Sequence, residues 1–369
     1  MQKALRRQDI TFEHKDQALR DDVRTLGRLV GELLKEQGGD QLYEFVEDAR
    51  VRAIRRREGN EKPGEELDRL VRDLDIDFAL EVIRSFSTYF QMVNTAEKVH
   101  RIRRRREYLR QEGDYQPGGL EDTFLKLKAA GLDLAALQQL LDSLLIEPVF
   151  TAHPTEPTRR TILRKEQNIV RRLVEMLNPT MTEQEIKVSI ENIKLEATTG
   201  WQTNEHPSEQ MTVADELEHV LFFVTDVLYR AMPPFYEDVE HAALRVYGED
   251  AGSLHVPLLV RFASWVGGDM DGNPNVNAKT IRSTMARQRS LILDLYYREC
   301  AKLSAKLSQS SSRIGVDQAI QRKIDEYTPV FQQAYHAVPA RHRDMPYRVY
   351  LRLIQQRLQA TYDDEAYPY

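Results

Sequence analysis

Pro148-Val149-Phe150-Thr151-Ala152-His153-Pro154-Thr155-Glu156-Pro157-Thr158-Arg159-Arg160 is the stretch on which the reading of the fold turns. Val149 to Ala152 are apolar, aromatic or β-branched, the composition of a buried strand. Pro154 fixes φ in the turn that follows, and Pro157 suits the first position of the next helix, where a missing N–H leaves nothing unsatisfied. A second segment, Val256 to Trp265, is likewise rich in Val, Leu and Phe and runs into Gly267-Gly268. Each strand follows a helix and leads through a polar or glycine-rich turn into another helix. That is the repeating unit of an α/β barrel, in which reactive residues sit on the loops leaving the carboxyl ends of the strands.

The remainder reads as helix. From Asp16 to Glu36 the apolar residues Leu19, Val23, Leu26, Val30 and Leu33 fall three and four apart, and Gly38-Gly39 supply a stop. A second run crosses Leu42, Phe45, Val46 and Ala49 and ends near Gly59; a third begins around Asp75 and continues to Gly113. Further helices are expected at 120–145, 157–178, 182–199, 212–246, 277–308, 316–337 and 346–360. The expected class is therefore mostly α, with a few strands from the first part of an incomplete TIM-type barrel. Residues 1–145 form a helical amino-terminal region, and 146–369 begin the barrel region. Two parallel strands cannot close a barrel and leave unpaired edges, so the rest of the sheet is expected from a part of the protein outside this chain. The ending Ala366-Tyr367-Pro368-Tyr369 reads as an interrupted chain, in keeping with a fragment.

The composition limits the function classes. With 41% hydrophobic and 30% charged residues, the chain can bury a core and is not a disordered tract. No stretch approaches the roughly 18 uninterrupted apolar residues of a membrane span. The charged start carries no signal peptide, and the lone Cys300 fits a reducing cytoplasm. A net charge of −6 argues against a general polyanion binder, which needs basic surface. The local exception is Arg101 to Arg106. On a helix these arginines spread around the circumference, with Glu97 and Glu107 as partners for Arg101 and Arg103, so the run reads as a structural helix and not as a nucleic-acid site.

Two constellations carry candidate chemistry. His153 stands just past the first strand, beside a helix start whose free N–H groups attract anions, and Arg159 and Arg160 add guanidinium donors in the first turn. Taken alone, the pattern fits equally an anion site with a titratable group beside it and a histidine that bonds a carbonyl at a strand end. The second constellation is Trp265-Val266-Gly267-Gly268-Asp269-Met270-Asp271-Gly272-Asn273-Pro274. Asp269, Asp271 and Asn273 alternate as in a calcium loop. However, Pro274 at the sixth position and Thr280 at the twelfth reject an EF-hand. The glycine pair fits a tight turn with Asx hydrogen bonds, or a close backbone approach to a ligand.

Thr151-Ala152-His153-Pro154-Thr155-Glu156 followed by Arg159-Arg160 resembles, position by position, the histidine signature of the phosphoenolpyruvate carboxylases. Asp22 to Gly27, Asn94 to Glu97 leading into Arg101, the Trp265 to Pro274 loop and Pro346-Tyr347-Arg348 resemble weaker family features, in the family's order from its amino terminus. The resemblance implies a carbon–carbon lyase that joins phosphoenolpyruvate and bicarbonate into oxaloacetate and phosphate. Mg²⁺ or Mn²⁺ would be held by ligands outside this chain, and the complete enzyme would be a tetramer. It implies that His153 is the catalytic histidine, with Arg159, Arg160, Trp265, Gly267, Gly268, Asp269, Asp271 and Asn273 as substrate or anion contacts. Met270 departs from the family's arginine, and Trp201-Gln202-Thr203-Asn204-Glu205 is followed by His206-Pro207 where relatives carry an arginine. The second histidine signature, the glycine-rich mobile loop and the metal-binding acids have no counterpart here, so the chain alone is expected to be inactive. The competing reading is a helical interaction or regulatory module that keeps the fold without the reaction.

Overall fold

Apolar spacing and glycine placement account for most of the elements in the computed structural model, which describes residues 14–57, 61–111, 113–151, 159–204, 211–270 and 274–363. In chain order these are α1 (Gln17–Arg57), α2 (Glu61–Arg72), α3 (Ile76–Arg110), α4 (Leu120–Ala129), α5 (Leu134–Ser143), β1 (Val149–Phe150), α6 (Arg160–Glu175) and α7 (Glu183–Trp201). There follow α8 (Val213–Phe222), a π-helical segment (Phe223–Leu228), α9 (Tyr229–Tyr247), β2 (Ala263–Ser264), α10 (Ala278–Lys306), α11 (Gln318–Tyr327), α12 (Gln332–His336) and α13 (Pro346–Tyr362). The protein is mostly α. Among the described residues, no helix is long and apolar enough to cross a membrane.

Two compact units divide the chain. The first takes Met1–Thr123 and Glu156–Glu209. Its longest helix is broken where the glycines indicated: Gly39 adopts φ 79° and ψ 174°, a conformation closed to residues with a Cβ, and α1 becomes two arms. The arms fold together, so that a Cβ at Gly31 would meet the Tyr43 ring at 3.1 Å. Leu26, Val30 and Leu33 from one arm and Leu42 and Val46 from the other share a core with Val82, Met92, Ala96 and Val99 of α3. Ile169 and Leu173 of α6 and Ile193 and Trp201 of α7 close it. Burying each such aliphatic side chain contributes roughly 1.5–3 kcal/mol, and this term holds the bundle. Ser85 and Thr95, inside this core, satisfy their hydroxyls on the carbonyls of Glu81 and Gln91 one turn back.

Polar contacts fix the ends of these helices. Asp75 caps α3 by accepting from the amides of Asp77 and Phe78, and Thr182 and Glu185 form a reciprocal capping box on α7. Within the basic run, Arg103 pairs with Asp22 at 2.8 Å and Arg104 pairs with Glu107. The expected Arg103–Glu107 partnership is thus replaced by one that ties α3 to α1.

The second unit takes Phe124–Thr155 and Gln210–Tyr369. The single helix expected over 120–145 is two, parted at Gly131 (φ 94°), with Asp133 capping α5 through the Ala136 amide. Helix α10 packs on α13, where Gln355 donates to the Tyr297 carbonyl and Arg348 to those of Ser304 and Ala305 at the end of α10. A separate cluster, Ile324, Tyr327, Val338, Val349 and Leu353, seats α11 on α13.

Both expected strands are present and parallel, but shorter than their composition suggests. Val149 pairs with Ala263 and Phe150 with Ser264, with an isolated bridge from Ile146 to Val260. Toward β1 the bonds of this segment continue, with the Ile146 amide donating to the Leu259 carbonyl and the Arg261, Ala263 and Trp265 amides donating to the carbonyls of Ile146, Pro148 and Phe150. The regular ladder is interrupted at Pro148, which has no N–H to offer the Arg261 carbonyl. The Tyr236 hydroxyl accepts from the Leu259 and Val260 amides at 2.9 and 3.3 Å.

Candidate active site

The carboxyl ends of β1 and β2 lie side by side, joined where the Trp265 amide donates to the Phe150 carbonyl at 2.9 Å. Beneath them, Phe150 and Val266 pack with Leu217, Val220 and Leu221 of α8, Val224 of the π-helical segment and Leu291 of α10. Arg287 of α10 grips Glu218 of α8 in a two-pronged ion pair. That carboxylate holds the guanidinium above its ordinary value. Three helical segments and two strand ends thus meet under the point where the chain leaves β2.

The turn that follows is closed on itself. Gly268 and Asp269 both donate their amides to the Trp265 carbonyl at 2.9 Å, and the Val266 amide donates to the Ser264 hydroxyl at 3.1 Å. Gly267 takes φ 77° and is buried, with its carbonyl facing the Thr284 hydroxyl at 3.4 Å. The glycine pair thus sits in a tight turn. With the amides of 266, 268 and 269 committed internally, what this turn presents outward is side chain: the Trp265 ring, 58% exposed, and the exposed Asp269. Met270 is also 58% exposed, so the position that would carry a cation in the family presents a thioether.

Arg159 and Arg160 lie together in the first unit. Arg159 is the residue preceding α6, with φ −56° and ψ 137°, and its guanidinium donates to the Asn204 carbonyl at 3.5 Å. Arg160, partly buried, opens the helix. The expected helix start at Pro157 lies outside the described residues, and α6 is described from Arg160. His153, Pro154 and Pro157 lie outside the described residues, as do Asp271 and Asn273. The candidate residues that are described therefore form two groups, Arg159 and Arg160 at the start of α6 and Trp265, Gly267, Gly268 and Asp269 after β2. The Ser264 and Thr284 hydroxyls, which shape the turn, went unnoticed in the sequence because neither residue type signals a loop contact at that separation. Among the described residues, no three His, Cys, Asp or Glu side chains converge as metal ligands.

The family model described as Phosphoenolpyruvate carboxylase matches residues 19–367. A phosphoenolpyruvate carboxylase of Xanthomonas campestris pv. campestris is 45% identical over 97% of this chain and 39% of its own length. Those of Ralstonia nicotianae and Burkholderia mallei are 37% and 35% identical over 94% and 95% of this chain, and 35% and 34% of their own lengths. The chain thus spans well under half the length of the curated relatives it matches, and corresponds to their amino-terminal part. By the extent of the family match and by identities above 30%, the chain belongs to the phosphoenolpyruvate carboxylase family.

Proposed function

We propose that this chain supplies the first part of a phosphoenolpyruvate carboxylase active site, in which bicarbonate and phosphoenolpyruvate become oxaloacetate and phosphate in anaplerotic carbon fixation feeding the tricarboxylic acid cycle. The observation that carries the reading is the parallel pair β1 and β2. The histidine motif follows directly on one strand end, and the Trp265–Asp269 turn follows on the other. Loops at the carboxyl ends of parallel strands are where α/β barrels gather reactive groups.

In this reading β1 and β2 are the first strands of a TIM-type barrel completed by sequence outside this chain. The exposed apolar side chains around them, Leu144, Leu145, Ile146, Val149 and Leu258, support a surface that another part of the protein covers. His153 serves as hydrogen-bond donor and proton carrier while the bicarbonate oxygen takes the phosphoryl group and the resulting enolate carbon attacks the carboxyl carbon. Arg159 and Arg160 stabilise negative charge on phosphoryl or carboxylate oxygens, and Trp265 and Asp269 supply substrate contacts after β2. Asp271 and Asn273 are assigned to the same substrate contacts by the family resemblance of the Trp265 to Pro274 loop. Mg²⁺ or Mn²⁺ bound in the complete enzyme supplies charge for the enolate and phosphoryl oxygens, on ligands this chain does not contribute. The complete enzyme works as a cytoplasmic tetramer.

The test is a malate dehydrogenase-coupled assay with phosphoenolpyruvate, bicarbonate and Mg²⁺. The chain alone is expected to consume no NADH; a complete carboxylase carrying this chain as its amino-terminal part is expected to turn over. In that protein, His153→Asn should lower kcat by about a hundredfold or more with folding intact. Turnover by the isolated chain would refute the dependence on a further part, and a normal rate in His153→Asn would remove that residue from the reaction.

A further inference from the structure

Resting on the lyase reading of the turn after β2, we infer that Thr284 is a positioning residue that sets where Trp265 and Asp269 stand. Three observations converge on it. Helix α10 is largely exposed, yet Thr284 is 6% exposed and, with Leu295, is one of its two buried residues. Its hydroxyl faces the Gly267 carbonyl at 3.4 Å in a buried setting. Its side chain also fills the space next to the Gly267 Cα: a Cβ built there would lie 2.2 Å from the Thr284 Oγ1, 3.1 Å from its Cγ2 and 3.2 Å from its Cβ.

Thr284 therefore acts on the turn in two ways. Sterically, it presses on the one residue of the turn in the left-handed region, which keeps that position open to glycine alone. Through its hydroxyl, it gives the buried Gly267 carbonyl a donor that the turn itself does not provide. The effect passes directly to the residues that face outward. The Trp265 carbonyl receives the Gly268 and Asp269 amides, so a shift at Gly267 moves Trp265 and Asp269 as one body. The far side of the same turn is pinned by the Ser264 hydroxyl on the Val266 amide, which leaves the Thr284 side as the adjustable one. An error of about 1 Å in a group facing substrate can cost up to two orders of magnitude in rate, so a contact of this kind matters without touching substrate.

The two tryptophans make the inference measurable, since Trp265 is in this turn and Trp201 is buried in the other unit. In the full chain labelled with 5-fluorotryptophan, ¹⁹F spectra give one resonance for each. Thr284→Val, which keeps the shape and removes the hydroxyl, should displace or broaden the Trp265 resonance and leave that of Trp201 in place. Thr284→Ser should restore it. In a complete carboxylase carrying this chain, Thr284→Val should lower kcat/KM about tenfold in a protein still folded at the assay temperature, its melting midpoint lowered by no more than a few degrees, and Thr284→Ser should stay within about twofold of the parent. An unmoved Trp265 resonance in Thr284→Val overturns the inference, as does a moved resonance with unaltered kinetics. An unaltered complete protein that forms no oxaloacetate refutes the lyase reading instead, and the role of Thr284 in the reaction falls with it.

Discussion

Gly267 and Gly268 are neighbours of the same residue type, and the structure assigns them opposite responses to a single methyl group. Gly267→Ala places a residue with a Cβ at φ 77°, which costs roughly 1–2 kcal/mol for an L-residue. The new Cβ also falls 2.2 Å from the Thr284 Oγ1, on a buried side chain of a packed helix with no free rotation away from it. Overpacking of that kind adds about 1–3 kcal/mol, for a total near 2–5 kcal/mol. At Gly268 the nearest atom to a built Cβ is the Trp265 carbonyl oxygen at 3.7 Å, an ordinary contact, and φ lies outside the left-handed region. Gly268→Ala should therefore be neutral, or stabilising by up to about 1 kcal/mol through the unfolded chain. Urea unfolding followed by the fluorescence of Trp265, in a Trp201→Phe background, reads the second unit. With a slope of roughly 1–3 kcal/mol per molar, Gly267→Ala should lower the midpoint by about 1–2 M, while Gly268→Ala leaves it within a few tenths. Equal losses at both positions would refute the reasoning, because composition and exposure of the turn would then matter and backbone conformation would not.

Two further outcomes follow from single contacts. Tyr236→Phe removes the oxygen that accepts from both Leu259 and Val260, and should cost about 1–3 kcal/mol while amide exchange at those two positions accelerates; unchanged exchange would show that the strand withdraws those donors elsewhere. At the start of α7, hydrogen bonds from the Thr182 amide and then its hydroxyl hold the Glu185 carboxyl below the usual range. A depressed folded-state pKa means that the cap contributes above the unfolded carboxylate pKa and is lost as pH falls through the folded value. An NMR titration should therefore find Glu185 protonating below an ordinary glutamate, and Thr182→Ala should move that midpoint upward; a midpoint unaffected by Thr182→Ala would contradict the hydroxyl's share.

Much of the fold could be read residue by residue, because a helix that buries one face must repeat its apolar residues at its own period. Leu19 to Leu33 and the break at Gly39 came from that rule and from the conformational reach of glycine. The strands were located correctly and drawn too long. Val256 to Trp265 have strand composition, but a regular ladder also needs donors from the neighbouring strand, and Pro148 brings none opposite Arg261. The π-helical segment at Phe223–Leu228 was read as uninterrupted helix, since one wide turn leaves the spacing of apolar residues nearly unchanged.

Charge and turn chemistry mark the boundary of what local pattern can convey. In Arg101 to Arg106, spacing offered Glu107 to Arg103, whereas Glu107 pairs with Arg104. Arg103 turns instead to Asp22, 81 residues away, and both of these side chains are only about a fifth exposed. There the ion pair is less screened by solvent than one on the open face of α3. The glycine pair behaves the same way. Its tightness was legible, but which glycine is indispensable depends on Thr284, seventeen residues further on and inside a helix. Local pattern specifies that an element forms; the partner that makes one residue within it irreplaceable is set by packing between elements, and at this turn that partner is a threonine whose own sequence neighbourhood is unremarked helix.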